Sequence, residues 1–252
     1  MNQLIVFGYI VVFLYGLVIG SFLNVCIYRI PKHESLAKRR SHCQSCDYQL
    51  RWYDLVPVFS WLILRGRCRQ CKEKISIQYP CIELANGILW VLTFLISGFT
   101  PLSVIYCLMI SGLLVLSMID FRTYEIPLGI NVYMGILGLI REFMDGITFM
   151  VLLDFFIVSG ILALLFLFSQ GRAIGGGDVK LMAAAGLLLG WKLVFVAFMF
   201  GCLYGSVIHI IRMKVSKVNH VLAMGPYLSA GMVTAAWFGN KIIAWYTASW
   251  IQ

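Results

Sequence analysis

Two aspartates and four cysteines are the residues of this chain whose types and spacing suit chemistry. Asp120 closes an apolar run in Met118-Ile119-Asp120-Phe121-Arg122. Asp178 follows glycines in Ile174-Gly175-Gly176-Gly177-Asp178-Val179-Lys180. An ionisable side chain at membrane depth is costly, and so is a functional candidate by default. Two carboxyls held close cannot easily both ionise, so they tend to share a proton. One then acts as base on a water while the other acts as acid, the arrangement of an aspartic protease. Gly175 and Gly177 leave room for an extended backbone to approach Asp178. Lys180 stands ready to steady a nearby anion or to anchor a helix end. Other readings stay open: Asp120 pairs with Arg122 or simply marks a helix end, or the two aspartates carry cations or protons in a transporter.

The cysteines form two pairs, Cys43-Gln44-Ser45-Cys46 and Cys68-Arg69-Gln70-Cys71, in one polar loop. Each CxxC turn presents two thiolates to one ion, and two such turns complete a closed tetrahedral shell of the structural zinc type, with iron as a substitute. A loop this short and polar builds little core, so a metal supplies the missing folding energy. Two disulfides or free thiols are the alternative, and a reducing compartment disfavours the disulfides. His33 and His42 are neighbouring spare ligands but read as surface histidines. With four sulfurs the shell has no open position, so the role is structural. Cys26, Cys81, Cys107 and Cys202 lie singly at or inside apolar runs, as small buried hydrophobes.

The elements that must hold these groups are membrane helices. Of 252 residues, 61% are hydrophobic and 12% charged, against about 25% charged in a soluble domain. Apolar runs at 4–28, 81–98, 101–119, 127–140, 147–169, 179–190, 193–211 and 221–240 predict an all-α polytopic integral membrane protein of about eight transmembrane helices, with a small cytoplasmic four-cysteine zinc-binding loop. The fourth and sixth runs are short, which predicts tilt, a break or re-entry. The triple glycine before the sixth suits irregular backbone lining a wet cavity. With the N-terminus outside, seventeen of the 20 Lys and Arg fall on inner loops, as the positive-inside rule demands. The net charge of +9 is therefore a topological signal and a contact for membrane lipids, with no nucleic-acid partner implied. The chain crosses twice between Asp120 and Asp178, so both return to the inner face. The expected divisions are a first helix, 1–28, a zinc-ribbon-like loop, 29–80, and a multi-span part, 81–252. Asp154 sits near the outer end of the fifth run and is expected to snorkel or meet Arg141. Glu125 is placed to tune Asp120 or to sit in solvent.

These segments resemble the type IV prepilin peptidase family. The resemblance rests on Gly20-Ser21-Phe22-Leu23-Asn24-Val25, Tyr28-Arg29-Ile30-Pro31, the two CxxC pairs enclosing Arg51-Trp52-Tyr53-Asp54, and Gln78-Tyr79-Pro80-Cys81-Ile82-Glu83-Leu84. The Asp120 and Asp178 segments and Met224-Gly225-Pro226-Tyr227 follow in the family's order. The resemblance implies a GxGD-type aspartyl protease of the bacterial cytoplasmic membrane, with its active site facing the cytoplasm and Asp120 and Asp178 as the catalytic pair. Its substrates would be prepilins or pseudopilins, which carry a basic leader ahead of an apolar N-terminal helix. Many such enzymes also methylate the new N-terminus with S-adenosylmethionine; others are peptidases alone. Asn24 and Glu83, both at inner ends of helices, are the methyl-transfer candidates. A structural pairing of Glu83 with Arg29 or a helix N-terminus is the competing reading. No glycine-rich cofactor fingerprint after a strand is present. Oligomeric state is not legible.

Overall fold

The computed structural model describes residues 3–38, 40–146, 149–172, 174–216 and 222–250. Among these, all regular structure is helical apart from two isolated antiparallel bridges. The chain divides into two compact units, Met1–Ser103 and Val104–Gln252.

In the first unit, α1 (Gln3–Arg29) and α3 (Gln78–Ser97) pack along each other. Apolar sequence without proline sustains α1 until Pro31, whose ring removes a backbone donor. Gly98 ends α3 with φ 74° and donates its N–H to the Phe94 carbonyl, a conformation that a side chain would oppose. The seam between the two helices is made by small residues. A Cβ on Gly16 would lie 2.7 Å from Cα of Gly87, and one on Gly20 would lie 2.7 Å from Cα of Glu83. Spaced four apart, the two glycines let the backbones touch, as in membrane helix pairs that associate by close packing. Asn86 locks the seam by donating to the Gly16 carbonyl at 2.7 Å. Between the helices lie the cysteine loop and the short α2 (Phe59–Ile63).

The second unit contains most of α4 (Pro101–Thr123), then α5 (Leu128–Asp145), α6 (Met150–Ser169), α7 (Gly176–Leu189), α8 (Trp191–Ser216) and α9 (Gly225–Trp250). Proline opens α4 and sits second in α9, where its missing N–H is not needed. Every residue of α7 from Leu181 to Leu189 is buried, and the helix packs on α5 and α6. Two glycines admit it: Gly138, where a Cβ would meet Leu187 at 2.6 Å, and Gly186, against the Asp154 carbonyl. α8 and α9 pair through Gly201 and Gly231.

Each of the eight expected apolar runs falls on a helix, α1 or one of α3 to α9. Among the described residues, five helices are long and apolar enough to cross a membrane: α1, α3, α4, α6 and α8. α7 is not. Its 14 residues rise about 21 Å, short of a bilayer core of about 30 Å. The glycine stretch is less irregular than expected, because only Gly175 is extended while Gly176 and Gly177 already belong to α7. Asp154 does not snorkel. It is buried, and its Oδ1 accepts the first N–H of α8, from Trp191, at 2.6 Å. An unsatisfied helix N-terminus is a better partner than distant water. Residues 147 and 221, where two runs begin, and Lys217 lie outside the described residues.

Candidate active site and metal centre

Asp120 is in the last turn of α4 and only 4% exposed. Its Oδ2 accepts the backbone N–H of Gly225, the first residue of α9, at 2.8 Å. Glycine is needed there, because a Cβ would lie 2.7 Å from that same oxygen and 2.8 Å from Cδ2 of Leu116. Asp178 is half-buried in the first turn of α7. Gly175, three residues earlier, is the residue that caps this helix. Here too a Cβ on the glycine would crowd the acid, 3.1 Å from Oδ2. Each aspartate thus packs against a glycine whose added Cβ would crowd its carboxylate, and at Asp120 the glycine N–H also holds one oxygen. The two aspartates lie within electrostatic reach of each other.

The turn before Asp178 is fixed from α5 and the residues just ahead of it. Ile126 fills the space where Gly177 would carry a Cβ, at 2.9 Å, and Asn131 donates Nδ2–H to the Gly177 carbonyl at 3.4 Å. The other end of that amide, Oδ1, is buried without a hydrogen-bond partner among the described residues. Sequence reading gave no role to Asn131 or Gly225. The available signals were an amide in the first turn of an apolar helix and a glycine ahead of Pro226. Lys180 and Glu125 are exposed.

The Gly225 contact carries a prediction. In Gly225→Ala the added methyl must displace the Asp120 carboxylate and loosen its backbone hydrogen bond. A hydrogen bond to a charged group contributes about 1.5–3 kcal/mol. Turnover by the Asp120 site should fall by about 10- to 100-fold, with substrate affinity close to wild type and folding stability lower by about 1.5–3 kcal/mol. Parallel rate and unfolding measurements on purified protein check this.

The cysteine loop makes two similar knuckles. Cys43 N–H donates to the Tyr48 carbonyl at 2.9 Å and Cys68 N–H to the Glu73 carbonyl at 2.8 Å. Bridges His42–Gln49 and Arg67–Lys74 close the two turns. In each, the residue after the second cysteine, Asp47 or Lys72, takes a left-handed φ of 52° or 61°. The four sulfurs all lie within 4.8 Å of one another, with Cys43 to Cys71 at 3.8 Å and Cys46 to Cys68 at 4.0 Å. Tetrahedral bonds of about 2.3 Å to zinc require sulfurs about 3.8 Å apart. The cluster therefore fits a metal ion. Burial pushes the Cys68 thiol up, but the N–H groups of Cys71 and Gln70 outweigh it and bring the thiol to about 7. A thiolate that accepts backbone N–H groups is a ready ligand. His42 faces Asp47, 3.8 Å away. Asp54 ties the knuckles to the intervening segment, accepting from Arg69 Nε at 2.8 Å, the Arg51 N–H at 3.2 Å and the Tyr48 hydroxyl at 3.4 Å.

Asn24 and Glu83 sit on the α1–α3 seam and are buried. Glu83 Oε2 accepts the Val58 N–H at 2.7 Å. The acid thus pins the cysteine loop to α3, while Arg29 donates to the Ser35 and Leu36 carbonyls. Asn24 donates to the Tyr79 carbonyl at 3.1 Å, and its Oδ1 has no hydrogen-bond partner among the described residues.

Comparison with known proteins places both halves. The bacterial peptidase A24 N-terminal domain matches residues 14–97, and the type IV leader peptidase family matches residues 107–210. A prepilin leader peptidase/N-methyltransferase of Myxococcus xanthus is 33% identical over 80% of this chain and 62% of its own length. Proteins of the same name are 30% identical in Stutzerimonas stutzeri, over 94% of this chain and 91% of the relative, and 33% identical in Pectobacterium carotovorum, over 86% and 88%. No solved structure matches. Relatedness along nearly the whole length, through both the cysteine-bearing and the aspartate-bearing halves, means that the chain belongs to the type IV leader peptidase family.

Proposed function

We propose that this protein removes the basic leader of prepilins or pseudopilins at the cytoplasmic face of the bacterial inner membrane, using Asp120 and Asp178 as an aspartyl-protease pair. The observation that carries the reading is the shared setting of the two carboxyls, each packed against a glycine whose added Cβ would crowd it and within reach of the other's charge. One carboxylate takes a proton from the attacking water while the other protonates the scissile carbonyl. A substrate with a basic leader inside and an apolar helix in the bilayer brings its cut site to the inner membrane edge, where α4 ends and α7 begins. In this reading α1 and α3 to α9 form eight crossings or partial crossings with the N-terminus outside. The chain then works as a first span (1–28), a loop (29–80) and a multi-span part (81–252). A transporter role finds no support in family membership. The test is conversion of a prepilin to its shorter form by membranes carrying this protein. Processing retained in Asp120→Ala or Asp178→Ala removes the pair from the chemistry.

Zinc is the ion we propose for Cys43, Cys46, Cys68 and Cys71. For methyl transfer we propose that Asn24 and Glu83 hold S-adenosylmethionine, which supplies an electrophilic methyl group for the new N-terminal amine. The orphan acceptor of Asn24 beside a buried carboxylate suits a ligand rich in cationic and N–H groups. Glu83→Gln should lose incorporation of labelled methyl into mature pilin while leader removal continues. Loss of both reactions together would make Glu83 a structural residue, and loss of neither would remove it from the donor site.

A further inference from the structure

The segment between the two knuckles exposes apolar side chains in an otherwise polar loop. Trp52 is 80% and Ile63 76% exposed, and Phe59 and Leu62 are also exposed. Phe59, Leu62 and Ile63 stand at positions i, i+3 and i+4 of α2, so they share one face. The inner side of this turn has its own anchor. Trp61 donates its indole N–H to the Ile75 carbonyl at 3.2 Å, and its ring lies where a Cβ on Gly66 would be, at 2.8 Å. The outward apolar face is therefore not a core left unfilled.

Its charge is one-sided. Within residues 51–67 the basic side chains Arg51, Arg65 and Arg67 are exposed, whereas the single acid, Asp54, is buried and bonded to Arg69. An apolar face rimmed by cations, with no exposed carboxylate among these residues, is the pattern of a segment lying on anionic lipid. Its height suits that role. The Val58 N–H is bonded to Glu83, which lies five residues into α3, about 8 Å along the helix. α1 and α3, which flank the loop, are both long and apolar enough to cross the bilayer. The turn is thus held beside the end of a span, at the depth of headgroups and upper acyl chains.

We infer that the Trp52–Ile63 segment is an interfacial anchor that docks on the anionic leaflet entered by α1 and α3. Phe59, Leu62 and Ile63 rest on acyl chains, and the three arginines meet lipid phosphates. The anchor sets the height of the metal knuckles above the membrane and stands whether or not Asp120 and Asp178 cut a peptide. A prepilin is the less suitable occupant, because its basic leader would meet Arg51, Arg65 and Arg67.

The test uses the full chain in vesicles of phosphatidylglycerol and phosphatidylethanolamine, with some lipids brominated either near the headgroup or near the chain end. The Trp52 emission is read as the difference between wild type and Trp52→Phe. It should lose most of its intensity to headgroup-proximal bromine, less to deep bromine, and little to iodide in the water. Quenching by bromine should weaken in phosphatidylcholine vesicles. In Ile63→Glu, with the proteolysis pattern of the loop unchanged, Trp52 emission (read against a Trp52→Phe partner) should become open to iodide. Free access of iodide in the wild type overturns the inference, as does protection from both quenchers, which would mean that protein covers the patch. Equal bromine quenching in zwitterionic phosphatidylcholine overturns the preference for an anionic leaflet, and with it the role given to the three arginines. Bromine quenching relieved by added prepilin assigns the face to substrate.

Discussion

Asp120→Asn and Asp178→Asn should each abolish prepilin cleavage, with rates falling by about 10³-fold or more, since each removes a group that must gain or lose a proton in the transition state. Asparagine keeps the shape and one carbonyl oxygen, so the Gly225 N–H still finds an acceptor at position 120 and the packing against Gly175 is unchanged at position 178. Both variants should therefore reach the membrane in normal amounts and unfold at near wild-type temperature. The double variant should be no slower than either single one, because residues that act as a unit lose their function together. A single variant with activity within about tenfold of wild type would end the pairing, whatever the fate of the other. Gly225→Ala, which displaces a carboxylate without removing it, should fall between these variants and wild type.

Removing the metal should have the second large effect, on structure before chemistry. Structural zinc in small cysteine-rich modules contributes about 10–16 kcal/mol of folding free energy, more than this loop can recover from its own buried residues. Purified protein should contain about one metal ion per chain. A strong chelator, or Cys43→Ser or Cys68→Ser, should open the segment between the knuckles to proteolysis while the membrane helices persist. The damage should reach α3, since the Val58 N–H is one of the groups that satisfy the buried Glu83 carboxylate. Uncovering one partner of a buried charged hydrogen bond costs about 1–3 kcal/mol or more. Metal-free protein with a protease-resistant loop would refute the metal centre. Visible absorption of the purified protein separates iron from zinc.

Local sequence alone determined much of this protein. A continuous apolar run needs a helix in lipid, because no water is present to take its backbone groups; hence each of eight runs became a helix. The CxxC spacing encodes a turn of fixed shape, so two copies were enough to predict a four-sulfur cluster. Tertiary structure decided the partners. No periodicity in the sequence indicates that the N–H held by Asp120 belongs to Gly225, 105 residues later. Nor does it indicate that Asp154 would cap α8 in place of snorkelling, that Glu83 would hold the cysteine loop, or that α7 would be enclosed on every side. Those outcomes depend on how closely backbones approach at Gly16, Gly20, Gly138 and Gly186. Helix formation is satisfied within a few residues of chain, whereas a buried carboxylate takes the nearest orphan donor that packing brings to it, from any distance along the sequence.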